Sequence, residues 1–189
     1  MAVNTFYDVS TEKNIRYAEA PKMTYYARIR SNLTGQILTN WQYYDTSIWY
    51  YGRCNSLEGG ESEYIIEFDI WNNEPGFNAG TYDVHNKVAR ACQLSIEPID
   101  ASEEQMQLFK TIPFLYGRCY VNNTREEWQP ITMNNPLTLI YGNVKSEEQG
   151  IIFNTDHTIL QTKIILPANE ILNEHQKYMF QLKFSYSYE

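Results

Sequence analysis

The fold of this chain is decided by residues 63–76, which read E-Y-I-I-E-F-D-I-W-N-N-E-P-G. Apolar and acidic side chains alternate there, with Tyr64, Ile66, Phe68 and Ile70 on one face of an extended segment and Glu63, Glu67 and Asp69 on the other. A period of two predicts a β-strand with one buried face. The strand is predicted to stop at the Asn-Asn-Glu-Pro-Gly turn, because Pro75 has no N–H donor and Gly76 accepts positive φ.

Similar alternation recurs along the chain between Gly, Pro and Asn turn signals. The other principal strands are predicted at residues 23–30, 37–44, 48–54, 87–96, 112–121, 137–144, 158–166 and 178–189. In the segment 87–96 the predicted buried face carries Val88, Cys92, Leu94 and Ile96. One short helix is predicted at residues 100–110, because Ser102 followed by Gln105 matches a capping box.

About nine or ten short strands with at most one short helix predict an all-β fold. We expect an antiparallel β-sandwich, either immunoglobulin-like or jelly-roll-like, in which residues 23–189 form a single domain. Residues 1–22 lack a sustained period and are expected to be an N-terminal arm or an edge segment.

Charge and composition exclude several functional classes. The formal net charge is −8, and no basic run occurs, which argues against nucleic-acid binding because that needs Lys and Arg to displace counterions. No apolar run approaches the length of about 18 residues that spans a membrane, and no signal peptide is apparent, so we expect a chain made and kept in a cytosol. Cys54, Cys92 and Cys119 lack paired metal spacing and are expected to be reduced thiols in the core.

The sequence carries no catalytic signature such as H-E-x-x-H, G-x-S-x-G or a glycine-rich phosphate loop. The pair Asp156-His157 is either part of a catalytic or metal site or an ordinary surface turn, and the turn is favoured. His85 and His175 are isolated and are given no role.

The acidic residues Glu61, Glu63, Glu67 and Asp69 have two interpretations. They would suit a glycosidase or a calcium site, or they form the solvated side of a strand, where charge discourages edge-to-edge aggregation. The solvated side is favoured. We therefore expect no enzymatic activity, no metal and no cofactor.

Aromatic residues crowd into positions 41–51, where they are Trp41, Tyr43, Tyr44, Trp49, Tyr50 and Tyr51. One buried face cannot absorb all of them, so some are predicted to reach the surface or a partner. They form an aromatic core with scattered exposed tyrosines, a protein interface, or a platform that stacks on sugar rings. The sugar platform would use Trp41, Trp49 or Tyr50.

The motif Tyr-Gly-Arg-Cys occurs at residues 51–54 and again at residues 116–119. The repeat is either a duplicated strand pair, with the cysteine buried and the glycine at a bend or bulge, or a coincidence in a Tyr- and Asn-rich chain.

Three segments carry a resemblance to a known family: F-D-I-W-N-N-E-P at residues 68–75, the two Tyr-Gly-Arg-Cys motifs, and the closing F-S-Y-S-Y-E. Together they resemble the small β-sandwich virion proteins of tailed bacteriophages, especially the ring proteins that stack between portal and tail in short-tailed, crAss-like phages. The resemblance covers residues 64–96 and the C-terminal strand.

The resemblance implies a structural virion protein, made in the host cytoplasm, that forms or joins an oligomeric ring in the neck or tail. Its partners would be copies of itself and other neck, portal or tail proteins, with no specific nucleic-acid or membrane binding. We predict a subunit interface at Trp71, Asn72, Asn73 and Glu74. The alternative function is a carbohydrate- or receptor-binding β-sandwich module.

Overall fold

The computed structural model describes residues 6–10, 23–43, 50–54, 60–75, 88–121, 124–139, 149–167 and 179–188. These residues form an all-β sandwich of two packed sheets, which confirms the predicted fold class. The strands are β1 (Phe6–Ser10), β2 (Met23–Ser31), β3 (Gln42–Tyr43), β4 (Tyr64–Asn72), β5 (Ala89–Pro98), β6 (Leu115–Val121), β7 (Thr124–Arg125), β8 (Gln129–Ile131), β9 (Leu137–Thr138), β10 (Asp156–Ile164) and β11 (Phe180–Tyr188). The helix α1 spans Glu103–Thr111.

The strands are divided between a four-stranded and a seven-stranded sheet. The first has the order β1-β11-β5-β9, and the second has the order β3-β2-β4-β10-β6-β7, with β8 also paired to β6. Every described strand pair is antiparallel except β1 with β11, which is parallel from Phe6↔Leu182 to Ser10↔Tyr186. The first and last described strands are therefore neighbours.

Strand β4 lies inside the seven-stranded sheet, between β2 and β10. Its side chains Ile66, Phe68 and Ile70 are at most 1% exposed and join one core with apolar residues of both sheets. Tyr25 of β2 meets Phe184 of β11 edge-on, with ring centroids 6.1 Å apart. The predicted buried face of β4 is thus the face that packs on the other sheet.

The helix has the predicted capping box at Ser102, and it begins at Glu103 rather than at residue 100. Ser102 Oγ accepts a hydrogen bond from the Gln105 backbone N–H at 3.2 Å, and Gln105 Oε1 accepts one from the Ser102 N–H at 3.0 Å, which completes the capping box. The helix buries Phe109 against the rings of Phe114 and Phe180, at 5.0 and 5.9 Å. No helix in the described part of the chain is long and apolar enough to cross a membrane.

Strand β5 differs from its prediction because it contains a β-bulge. Ala91 has a positive φ of 51°. Around it, Arg90 and Gln93 of β5 are three residues apart, whereas their partners in β11, Ser187 and Ser185, are two residues apart. The extra residue shifts the alternation by one position. Ala89 is therefore buried in place of Val88, which is partly exposed, so the prediction for Val88 is wrong, whereas Cys92 is buried as predicted.

Two predicted strands near the aromatic segment are shorter or absent. The predicted strand 37–44 is reduced to β3 and an isolated bridge between Ile37 and Arg30. The predicted strand 48–54 has no regular structure over residues 50–54, where Gly52 has a φ of +83°, and its other residues lie outside the described part. The second Tyr-Gly-Arg-Cys motif is within β6. The repeated motif therefore has two different conformations.

Candidate functional site

The outer face of the seven-stranded sheet, which points away from the other sheet, carries a network of charged side chains centred on Glu67. Glu67 is fully buried and forms salt bridges with Arg28 and, at 3.2 Å, with Arg30. Gln161 of β10 donates a hydrogen bond to Glu67 Oε2 at 2.5 Å. Register explains this meeting, because Arg28 and Gln161 lie directly opposite Glu67 on the two strands beside it.

The environment of Glu67 keeps it ionised. Burial by itself would raise the pKa of its carboxyl, but the hydrogen bonds from Gln161 and Arg30 and the positive charges of Arg28 and Arg30 outweigh burial and lower it. The expectation that the acidic face of β4 is solvated is therefore wrong for Glu67. The arginines that cover it come from β2, a strand distant in sequence.

Two tryptophans close the network at its ends. The Trp41 ring lies over the Arg28 guanidinium, with 4.1 Å from Cζ to the ring centroid. At the other end of the network, on the same face, the Trp128 ring centroid lies 4.2 Å from Arg118 Cζ and 4.6 Å from Lys163 Nζ. Such stacking shields a cation from water and stabilises its position.

The two ends are tied back to the sheet by further polar contacts. Arg118 Nε donates to Gln161 Oε1 at 2.9 Å, and Lys163 forms an ion pair with Glu61 at 2.7 Å. The hydrogen bonds from Lys163 and then from Asn32 are the main causes that lower the pKa of Glu61. The network therefore spans β2, β4, β10 and β6 and holds them in register.

A second polar group lies on the same face. His157 Nδ1 is 2.5 Å from Asp69 Oδ1, and the indole N–H of Trp71 donates to Asp69 Oδ2 at 3.2 Å. The rings of Trp71 and His157 stack on each other, with centroids 4.1 Å apart and an angle of 11° between their planes. One carboxylate thus holds two stacked rings.

The pKa of His157 reflects these neighbours. Burial would lower it, but the hydrogen bond to Asp69 and the negative charges of Asp69, Asp156 and Glu74 outweigh burial and raise the pKa. Asp156 is adjacent to His157 in sequence, and its Oδ1 accepts the backbone N–H of His157. The hydrogen bond of the His157 ring is made across strands, to Asp69.

The predicted interface residues have different surroundings. Trp71 is partly exposed and stacked, whereas Asn72 is fully buried and donates to the backbone carbonyl of Ile152 at 3.1 Å. Asn73 is 5% exposed and donates to Asn154 Oδ1 at 2.8 Å.

Glu74, the fourth predicted interface residue, is partly buried and accepts hydrogen bonds from Thr24 and Tyr26. Burial and then Glu74 raise the pKa of Tyr26 to about 12. Asn72 and Asn73 have little surface to offer a neighbour, so an interface there would rest on Trp71 and Glu74, and it stays a prediction.

The predicted sugar-stacking residues are not assembled into a platform in the described part of the chain. Trp41 covers Arg28, and Tyr50 is 49% exposed. Trp49, together with His85 and His175, lies outside the described residues.

The predicted acidic residues do not converge on one point. Glu61 pairs with Lys163, Glu67 with the arginines and Asp69 with His157. Among the described residues, no group of three or more His, Cys, Asp or Glu side chains is placed to hold a metal ion. Cys92 and Cys119 are buried in the core, and Cys54 is partly buried beside it.

A surface feature that the sequence analysis missed lies at the β2–β3 edge of the seven-stranded sheet. Leu33, Ile37, Leu38 and Tyr43 are 94%, 43%, 46% and 42% exposed, and we call these four residues the edge patch. Among the described residues, the one other exposed large apolar side chain is Tyr50. A sequence signal was present, because residues 32–44 contain no Asp, Glu, Lys or Arg.

Comparison of the chain with protein-family models, with curated proteins and with solved structures found no match.

Proposed function

We propose that this protein is a structural virion component of a tailed bacteriophage that assembles with copies of itself into a ring of the neck or tail. The resemblance of residues 68–75 and of the closing strand to phage ring proteins motivates the virion setting. The proposal needs a β-sandwich that offers a surface to other protein chains.

The observation that carries the assembly role is the edge patch. A group of exposed apolar side chains at one edge of a folded domain is a common mark of a protein–protein contact, because burying it removes apolar area from water. Leu33, Ile37 and Leu38 lie within six residues of one another and share one edge of one sheet. Scattered exposed apolar residues need no such explanation, but this cluster does.

The contacts on the polar outer face favour a structural role for its residues over a reactive one. Glu67, Gln161 and the surrounding cations satisfy one another across four strands. A buried charge network of this kind fixes strand register and gives a stiff sheet. A stiff sandwich with an apolar edge is suited to a subunit that must keep its shape within a larger assembly.

The test is the mass of the purified chain in solution, measured by native mass spectrometry and light scattering, with negative-stain images of the same sample. The proposal predicts a closed species whose mass is a multiple of 22.3 kDa and ring-shaped particles. A chain that stays monomeric at concentrations near millimolar, with or without purified portal and neck proteins, would contradict the proposal. Glycan titration of tryptophan fluorescence would then test the carbohydrate-binding alternative.

A further inference from the structure

The geometry points to a two-fold contact between two copies of this chain, made edge patch to edge patch with Leu33 as its central side chain. This inference rests on the proposed function, because it names one contact by which copies of the chain meet. A two-fold contact joins copies in pairs, so a ring of such pairs also needs a second, different contact. Three features of the β2–β3 edge lead to it: a rigid turn, an absence of charge and an irregular backbone.

The turn that carries Leu33 is held rigidly although Leu33 itself is 94% exposed. Within the turn, the N–H of Gly35 donates to the Ser31 carbonyl at 2.9 Å, and the N–H of Ser31 donates to the Gln36 carbonyl at 2.8 Å. Arg30 adds a bond from its side chain to the Gly35 carbonyl at 2.8 Å.

The turn is also bonded to the segment that precedes β4. The Asn32 side chain donates to Glu61 Oε2 at 2.8 Å and to the Ser62 carbonyl at 2.9 Å, and its N–H donates to the Glu63 carbonyl at 3.0 Å. Glu61 is fixed in turn by Lys163. Leu33 is therefore presented on a preorganised backbone, so docking it requires little further ordering of the chain.

The charge distribution selects a second copy as the occupant. The chain carries a formal charge of −8, so two copies repel each other over most surfaces. Residues 32–44 carry no charged side chain. The acid bonded to the turn, Glu61, is paired with Lys163, so contact there brings together few uncompensated like charges. A cationic partner would gain nothing from this edge, whereas an identical uncharged, apolar edge matches it, with Thr34, Gln36 and Asn40 as an uncharged polar rim.

The contact is expected to use side chains and not an added β-strand. Three residue steps separate Ala27 from Arg30, but five separate their partners Gln42 and Ile37. The two extra residues break the ladder at the edge, and such irregularity prevents continuous strand pairing. A patch that meets its own copy through side chains forms an isologous two-fold interface.

The experiment compares the wild-type chain with Leu33→Asp and Leu38→Asp by sedimentation over a wide range of concentrations. Gln107→Asp, at an exposed position of helix α1, adds the same charge away from the patch. We expect at least about a tenfold weakening of self-association for each leucine variant and none for Gln107→Asp. Circular dichroism and thermal melts establish that each variant is folded.

The symmetry is tested separately with Leu33→Cys in a Cys54→Ser background, treated with a short bismaleimide. A two-fold contact brings residue 33 of one copy to residue 33 of the other, so a cross-linked dimer is expected, whereas Gln107→Cys in the same background should give none. If both leucine variants assemble as the wild type does and residue 33 does not cross-link, the edge-patch contact is overturned while the proposed ring survives through another surface. If the wild-type chain does not self-associate at all, with or without purified portal and neck proteins, the contact and the proposed function both fail.

Discussion

His157 Nδ1 lies 2.5 Å from Asp69 Oδ1, so an imidazole of β10 and a carboxylate of β4 form a charge-assisted hydrogen bond across neighbouring strands whenever His157 is protonated. Asp156 and Glu74 add negative charge around the same imidazole. Tyr26 of β2 lies opposite Asp69, and its pKa of about 12 keeps it neutral. Among the described residues of this face, His157 is an imidazole whose charge is lost as the pH rises through its raised pKa.

This arrangement makes the stability of the protein depend on pH. Because the pKa of His157 is raised in the folded chain, its stabilising contribution is fully present below its unfolded value of about 6.5 and is lost as the pH rises through the folded value. We expect wild type to be more stable than His157→Gln by about 1 kcal/mol at mildly acidic pH, with the difference shrinking as the pH rises through the raised pKa of His157. Urea unfolding of both chains across this range measures it, and parallel pH curves would show that the pair contributes nothing.

Removing the charge of Glu67 is expected to be the most damaging single change on the outer face. Glu67→Gln leaves Arg28 and Arg30 without their buried counter-charge, and breaking one side of a buried pair costs roughly 3–5 kcal/mol. The matched control is Glu63→Gln, at an exposed position, which should change stability by less than about 0.5 kcal/mol. Chemical denaturation at neutral pH measures the free energy of unfolding of both variants. Equal losses of stability would mean that the network is not stabilising.

The same carboxylate predicts a loss of stability in acid. The pKa of Glu67 is lowered in the folded chain, so its contribution is fully present above the unfolded value of about 4.5 and is lost as the pH falls through the folded value. Wild type should therefore lose stability on acidification more steeply than Glu67→Gln. Unfolding free energies measured between about pH 6 and pH 3 test this, and equal slopes would contradict it.

Two glycines with positive φ provide a matched pair. Gly35 has a φ of +71° and nothing within 4 Å of an added Cβ, whereas Gly52 has a φ of +83° and an added Cβ there would overlap Glu63 Cβ. Gly35→Ala should cost about 1 kcal/mol from backbone strain alone, and Gly52→Ala should cost that plus roughly 1–3 kcal/mol for overpacking. Thermal unfolding measures the loss of stability in each variant. Equal losses would show that residues 52 and 63 move apart at little cost.

Trp71 connects the sequence-based interface prediction with the structure. Its stacking on His157 and its bond to Asp69 predict that Trp71→Ala lowers the unfolding free energy by about 1–3 kcal/mol, whereas Trp71→Phe keeps the stack and loses less. Melting temperature and solution mass should be measured on the same samples. Loss of assembled mass while the chain remains folded would support the predicted interface, and an unchanged mass would contradict it.

The features predictable from sequence were those determined by residues close together in the chain. The alternation in β4 and β11 and the Ser102–Gln105 capping box each involve neighbouring positions, and each was confirmed. The prediction that Val88 lies on the buried face of β5 was wrong because of the bulge at Ala91. The bulge depends on how β5 pairs with β11, and the local sequence pattern does not contain that information.

The candidate site was harder to predict because its partners are distant in sequence. The Glu67 side chain looks like a solvated acid until Arg28 and Gln161 are placed beside it by strand order. The hydrogen bond of the His157 ring to Asp69 likewise depends on register across β4 and β10. Strand order is a property of the whole sheet, so no local pattern could supply it.

The parallel pairing of β1 with β11 gives the sandwich a mechanical property. Force applied at Phe6 and Tyr188 pulls these strands in opposite directions along their common axis. All five paired positions, from Phe6↔Leu182 to Ser10↔Tyr186, are then loaded together in shear, whereas an antiparallel pair pulled from its two open ends would unzip one bond at a time. Tension between these two points is therefore resisted by the whole length of the strand pair.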